Sequence, residues 1–148
     1  MKTYVVSGCL AGLSCRYDGG STPFEPVRRL VEEGRAVTAC PESLSGLPVP
    51  RPPCEQRDGR VIMRTGEDVT EAFELGAERA MRIVREHGCT AAILKARSPS
   101  CGFGQIYDGS FTGATCAGMG TWARRLREAG LTLYSEDVLP PELTGETD

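Results

Sequence analysis

Three cysteines that follow short apolar runs are the residues of this chain best suited to chemistry. Each run is a candidate β-strand: residues 4–8 lead to Cys9, 36–39 lead to Cys40, and 91–94 end seven residues before Cys101. If the runs are parallel strands, their carboxyl ends share one edge of a sheet, and three thiolates far apart in sequence meet in one crevice. Three such ligands without a fourth describe a metal centre with a vacant position for substrate.

The spacing of the cysteines limits which metal such a centre could hold. Thiolates favour zinc, copper(I) and iron–sulfur clusters, but no C-x-x-C motif of a zinc finger or ferredoxin occurs in the chain. Structural zinc takes four ligands; the single histidine, His87, lies at a predicted helix end, and Cys15 is the other candidate. An iron–sulfur cubane on three cysteines with one open iron fits the pattern better, and zinc with Cys15 remains an alternative.

Polar residues beside these cysteines supply candidate catalytic groups. Glu42 stands two residues after Cys40, where a carboxylate can act as general acid or base. The run SPSCG at residues 98–102 offers two hydroxyls and free backbone amides that could position a substrate oxygen. On sequence alone, the same residues also fit an N-cap and a simple turn.

The elements that position these residues alternate between strands and helices, which predicts an α/β fold with a mostly parallel sheet and flanking helices. We predict sheet strands at 4–8, 36–39, 91–95 and 131–134, and helices at 24–33, 68–86 and 120–129. Asp68 and Glu71 suggest a capping box at the second helix. The Asp58-Gly59 turn predicts a hairpin strand at 60–63. The proline-rich residues 47–53 predict a lid or binding loop.

Composition excludes several classes of function. The 148 residues suit one domain, which we place at 1–139, with 140–148 as a frayed tail. The net charge of −3 includes no basic stripe, so a nucleic-acid polymer is not an expected partner. No apolar run approaches the roughly 20 residues of a membrane span, and the N-terminus lacks signal-peptide features, which predicts a cytoplasmic protein. Seven cysteines in a reducing compartment indicate metal or thiol chemistry rather than a disulfide framework.

Seven short motifs, taken together, point to a known family. They are SGCLAG (7–12), CRYDG (15–19), CPE (40–42), LP with PRPP (47–53), GEDVT (66–70), LK with SPSCG (94–102) and QIYDG (105–109). In this order they resemble the bacterial 2-thiouracil desulfurase (desulfidase) family, formerly a domain of unknown function. The resemblance covers about residues 4 to 139.

The resemblance implies a single Rossmann-like α/β domain that carries an oxygen-sensitive [4Fe-4S] cluster on Cys9, Cys40 and Cys101. The fourth iron would have no protein ligand and would take up the sulfur of a thiolated pyrimidine, which leaves as hydrogen sulfide without net redox change. Glu42 and a serine of the 98–102 loop match the family's proposed catalytic groups. Ser98 and Ser100 are the two candidates, and its position next to a cysteine ligand favours Ser100.

Four residues depart from the family pattern, namely Ser45, Cys54, Cys116 and Trp122. None is one of the three ligands, but they leave open whether the substrate is free thiouracil or a thiolated uridine nucleotide. The oligomeric state is also open. The competing hypotheses are a metal-free thiol enzyme, which lacks a well-placed base, and a non-catalytic zinc- or iron–sulfur-binding module.

Overall fold

A four-stranded parallel sheet with the order β2-β1-β5-β8 forms the centre of the computed structural model, which describes residues 3–14, 17–48 and 50–144. The strands are β1 (Tyr4–Ser7), β2 (Ala36–Ala39), β3 (Cys54–Arg57), β4 (Arg60–Met63), β5 (Ala91–Leu94), β6 (Phe103–Tyr107), β7 (Thr115–Met119) and β8 (Thr132–Ser135). The helices are α1 (Glu25–Glu32), α2 (Pro41–Leu44), α3 (Thr70–His87), α4 (Thr121–Glu128) and α5 (Pro141–Thr144), and a 3-10 turn spans Gly8–Ala11.

The strand order confirms the predicted α/β fold with a parallel sheet. From β1 the chain continues to β2 on one side, and then to β5 on the other side, so β1 lies where the winding direction reverses. Its last residue, Ser7, is paired with Ala39, the last residue of β2. In sheets of this type ligands bind outside the carboxyl ends of the strands at this reversal.

Apolar side chains of the central strands pack into two cores, one on each side of the sheet. Val5 and Leu94 belong to the cluster that contains Trp122 and Ala77, from α4 and α3. Tyr4, Val6 and Ile93 instead pack with the buried residues of α1, Val27 and Leu30. Successive strand residues point to opposite sides, which explains why every residue of β5 and the first three residues of β1 are apolar.

The three longer helices lie where the amphipathic pattern predicts them. Gly88 ends α3 in a left-handed conformation with φ of 61°, as the His87-Gly88 pair predicts. The predicted capping box was wrong, because Val69 rather than Asp68 occupies the N-cap position of α3. Asp68 stands one residue earlier, where its Oδ1 accepts the N–H of Thr70 at 2.9 Å.

Two antiparallel hairpins flank the sheet, and only one of their strands is predicted by the sequence. The β3–β4 hairpin turns at Asp58 and Gly59, which both have positive φ, as suits a two-residue hairpin loop. The β6–β7 hairpin was not predicted. Its strands carry little apolar alternation, since the sequences are FGQIY and TCAGM.

At the C-terminal end, α5 occupies part of the segment that the sequence predicts as a frayed tail, and residues 145–148 lie outside the described range. The domain boundary at 139 stays a prediction. Within the described residues, no helix combines the length and apolar character that crossing a membrane requires.

A close contact between α2 and α3 fixes the segment after β2. Gly76 of α3 lies against the α2 backbone, and a Cβ added there would overlap the carbonyl oxygen of Pro41 and lie 3.0 Å from the Ser45 nitrogen. Because both neighbours are backbone atoms, neither can move aside as a flexible side chain would. Gly76 therefore sets how closely α2, with Glu42 on it, packs against the long helix.

We expect Gly76→Ala to lower the unfolding free energy by about 1–3 kcal/mol, because overpacking outweighs the gain in helix propensity. Leu75→Ala is the matched control: its side chain is 44% exposed on the same helix, and its effect should stay within about 0.5 kcal/mol. Urea denaturation measures both. Equal stabilities of the two variants would contradict the close contact.

Candidate active site

One cavity of about 330 Å³ opens where β1, β2 and β5 end, and all six site residues proposed from the sequence line it. They are the three cysteines, the glutamate and the two serines: Cys9, Cys40, Cys101, Glu42, Ser98 and Ser100. They come from three separate segments that the parallel sheet brings to a common edge.

Cys101 is held in a turn built around the hydroxyl of Ser98. Ser98 Oγ accepts the backbone N–H of Ser100 at 3.1 Å and of Cys101 at 3.0 Å. The Ser100 hydroxyl lies 3.5 Å from Cys101 Sγ and donates to it. Since both hydroxyls are used within the turn, the SPSCG run fixes the position of the sulfur atom.

Burial raises the pKa of the Cys101 thiol, and neighbouring groups adjust it further. Hydrogen bonds from Ser100 and Ser7 act to lower this pKa, whereas negative charge on Cys9 or Cys40 raises it. Cys9 and Cys40 are therefore close enough to Cys101 to affect the ionisation of its thiol. Thiolate ligands must be deprotonated, so metal binding to this group would release protons.

Cys9 and Cys40 lie two residues and one residue beyond the ends of β1 and β2. Cys9 is buried in the 3-10 turn after β1, where its carbonyl accepts the N–H groups of Gly12 and Thr22. Cys40 is the N-cap residue of α2, and Pro41 follows it at the first helical position, where the missing N–H costs nothing. The proline thus begins the helix immediately after the cysteine.

A buried arginine that the sequence analysis did not single out holds Glu42. Arg51 Nη2 donates to Glu42 Oε2 at 2.5 Å, and Nη1 donates to the carbonyl of Pro48 at 3.3 Å. The side chain of Arg51 is 1% exposed and that of Glu42 is 17% exposed. The proline-rich segment therefore supplies a wall of the cavity and the counter-ion of its carboxylate. Its only sequence signal was its place in the PRPP motif.

Cys54 also lines the cavity but lies on the Glu42 side of it. Its thiol donates to the carbonyl of Pro52 at 3.7 Å. Burial, followed by the charge of Glu42, raises the Cys54 pKa to about 12. The neighbours of this thiol are therefore the Pro52 carbonyl and the Glu42 carboxylate rather than the other three cysteines.

The two candidate serines differ in their access to the cavity. Ser100 is 1% exposed, whereas Ser98 is half-buried.

Lys95, another residue at the carboxyl end of β5, pairs with Glu136 through an N–O distance of 2.6 Å. The lysine charge is therefore already balanced within the protein.

The remaining lining residues include several that sequence reasoning missed. Ser7, Glu55 and Phe111 come from β1, β3 and the loop between β6 and β7. Ser7 lies in the SGC motif, and Phe111 follows the QIYDG motif. These motifs were the only sequence signal for the two residues. The placement of Phe111 depends on the β6–β7 hairpin, which local sequence does not predict.

Among residues 3–14, 17–48 and 50–144, no three His, Cys, Asp or Glu side chains are close enough to share a single metal ion. A cubane presents its irons at separate corners, so three anchoring thiolates need no common atom to contact. Cys15, the alternative fourth ligand, lies outside the described residues.

Comparison with known proteins places the chain in a family. The model of the 2-thiouracil desulfurase family matches residues 4–138. The chain belongs to the 2-thiouracil desulfurase family. This confirms the resemblance carried by the seven sequence motifs.

Two similar proteins cover nearly the whole of this desulfurase-family chain. The protein YbbK of Bacillus subtilis (strain 168) is 41% identical over 145 residues, covering 91% of this chain and 96% of its own length. The solved structure of the [4Fe-4S]-dependent thiouracil desulfidase TudS is 44% identical, with a TM-score of 0.89. It covers 97% of this chain and 96% of TudS.

We expect Arg51→Met to lower the unfolding free energy by about 3 kcal/mol, because it leaves the Glu42 carboxylate without its buried partner. Arg60→Met is the matched control. It removes an exposed arginine whose Nε lies 2.8 Å from Asp68 Oδ2, and solvent screens such a pair. Guanidinium denaturation compares the variants. A loss for Arg51→Met as small as that of the control would contradict a buried ion pair.

Proposed function

We propose that this protein is a [4Fe-4S]-dependent, non-redox desulfidase that removes sulfur as hydrogen sulfide from a thiolated pyrimidine. The observation that carries this proposal is one cavity lined by Cys9, Cys40 and Cys101 together with an arginine-paired glutamate, in a chain of the 2-thiouracil desulfurase family. The 44% identity to TudS supports the cluster as cofactor.

Cys9, Cys40 and Cys101 are the residues that would hold the cluster. Thiolates are the ligands that iron–sulfur clusters take, and the effect of Cys9 and Cys40 on the Cys101 pKa supports a shared site, as does the cavity that all three line. The cluster, when bound, supplies a Lewis acid that can draw electron density from the thiocarbonyl sulfur. A cytoplasmic location suits such an oxygen-sensitive group.

Glu42 is proposed as the general acid and base. The overall reaction replaces C=S with C=O, consuming one water and releasing one hydrogen sulfide, so protons move but no electrons are transferred. Glu42 would take a proton from the water that adds to the ring carbon and return a proton as the C–S bond breaks. The ion pair with Arg51 fixes one carboxylate oxygen in the cavity wall during these transfers.

Ser98 is proposed as the serine that contacts substrate. Its oxygen accepts two backbone N–H groups and lies 3.2 Å from the Ser100 oxygen, and rotation of the hydroxyl would turn its proton from that neighbour to a substrate atom. Its half-buried position supports this role, whereas Ser100 is almost fully buried against Cys101. The sequence argument favoured Ser100, and burial favours Ser98.

The cavity could accept more than a free base. About 330 Å³ lies within the range of small-molecule sites, and Arg64 is an exposed lining residue that could meet a phosphate. We therefore propose both free thiouracil and a thiolated uridine monophosphate as substrates to be compared.

The test is anaerobic purification, iron and acid-labile sulfide analysis, and a sulfide-release assay on 2-thiouracil, 4-thiouracil and thiouridine monophosphate. We expect about four irons and four sulfides per chain and sulfide release from at least one substrate.

Cys40→Ser should lose both cluster and turnover, whereas Cys54→Ala, a change at another cavity cysteine, should keep both. Stoichiometric zinc in colourless protein would instead favour a zinc module. A brown protein that releases no sulfide would favour a non-catalytic iron–sulfur protein.

We expect Glu42→Ala to keep the cluster and to reduce kcat by roughly 10²–10⁴-fold, which is the usual contribution of a positioned acid–base group. Ser98→Ala should reduce kcat more than Ser100→Ala does at equal iron content. Steady-state kinetics on iron-matched samples measures these effects. A fully active Glu42→Ala enzyme would remove the glutamate from the mechanism.

A further inference from the structure

An aromatic residue from the β6–β7 loop lines the cavity, although this hairpin carries none of the proposed ligands or acid–base groups. Phe111 lies in the loop after β6 and is half-buried. Three aromatic residues appear among the described lining residues, and the other two, Tyr17 and Tyr107, carry hydroxyls. Phe111 is thus the one of these three whose aromatic ring carries no polar group.

The backbone at Phe111 is in the left-handed region, with φ of 57°. Such a conformation is unusual for a bulky residue and persists where surrounding contacts impose it. The contacts come from Glu55 on β3, whose Oε1 accepts the N–H of Gly109 at 2.9 Å and of Phe111 at 3.1 Å. A carboxylate therefore holds the loop at two points.

Further contacts press the loop against β3. Arg57 donates from Nε to the carbonyl of Gly109 at 3.2 Å. A Cβ at Gly109 would lie 2.7 Å from the carbonyl oxygen of Gln56. The loop backbone at Gly109 therefore lies very close to the backbone of β3. Glu55 itself is 8% exposed and is paired with Ile62 in the β3–β4 hairpin. The position of Phe111 is thus set by a neighbouring hairpin.

The proposed reaction leaves one recognition task without a residue. The cysteines, Glu42 and Ser98 would act on the sulfur and the protons, but none of them recognises the flat face of a pyrimidine. Aromatic side chains stack on such rings. A thiocarbonyl compound without an aromatic ring would gain nothing from this contact.

Resting on the proposed desulfidase function, we propose that Phe111 is a specificity-determining residue that stacks on the pyrimidine ring of the substrate. Glu55 is a positioning residue that acts through Phe111. The loop between β6 and β7 is then the element that selects aromatic thiolated heterocycles over other thiocarbonyl compounds.

The first test replaces Phe111 with leucine, which keeps an apolar side chain but removes the aromatic face. We expect the KM for 2-thiouracil to rise roughly five- to tenfold, the scale of one aromatic contact, with kcat and iron content near those of the wild type. Phe111→Tyr should restore the wild-type KM. The matched control is Phe103→Leu, the same change on β6 at a residue outside the cavity lining.

A second substrate separates stacking from simple loss of volume. 5,6-Dihydro-2-thiouracil has the same thiocarbonyl edge but no aromatic face. The wild type should prefer 2-thiouracil over it in kcat/KM, and Phe111→Leu should reduce that preference severalfold. Calorimetric binding of uracil to the cluster-loaded protein should weaken by the same factor as the KM, which gives a readout independent of turnover.

The role of Glu55 is tested by non-additivity. Glu55→Ala should raise the KM about as much as Phe111→Leu, the double variant should be no worse than the worse single one, and Glu55→Gln, which keeps an acceptor oxygen, should retain most of the wild-type KM. If Glu55→Ala does not fold, the Gln variant and the two Phe111 variants still decide the matter.

An unchanged KM and unchanged substrate preference in Phe111→Leu would overturn the inference while the desulfidase function stands. A wild type that releases no sulfide would instead overturn the proposed function.

Discussion

The meeting of three strand ends at one edge of a parallel sheet is the constraint on which the site depends. No local loop holds two of the three cysteines together, so their separation is set by strand register and by the first residues after each strand. Ser7 and Ala39 end β1 and β2 in register, and the turn at Ser98 returns the chain from β5 to the same edge. A shift of any one strand would separate the sulfur atoms.

Contacts from outside the sheet hold the cysteine-bearing loops against it. Gln56 Nε2 donates to the carbonyls of Pro99 and Met119, at 2.9 and 3.0 Å, which ties the SPSCG turn to both hairpins. The backbone N–H of Trp122 donates to the carbonyl of Ser100 at 2.9 Å. The first turn of α4 thus also fixes this segment. Together these bonds join the SPSCG turn to β3, β7 and α4.

Two of the charged side chains in the cavity wall, Glu42 and Lys95, are paired within the protein. Arg51 balances Glu42, and Glu136 balances Lys95. The buried Cys101 thiol has a raised pKa, so it adds no uncompensated negative charge while protonated. The hydroxyl of Ser98 and the carboxylate of Glu42 are the polar groups of this wall that we propose to act in the reaction itself.

Sequence alone determined the α/β class, the four sheet strands and the longer helices, because apolar periodicity is a local signal. Short motifs, which are also local, singled out Cys9, Cys40, Cys101 and Glu42 as candidate site residues. Roles for these residues stay predictions that the experiments above test. Only the tertiary structure gave Arg51 as the partner of Glu42, the half-buried position of Ser98 and the place of Phe111. Those features depend on contacts between distant segments, such as Glu55 with the loop at Gly109, and on burial. One stretch of sequence cannot specify them, because the stabilising free energy comes from neighbours that the fold brings together.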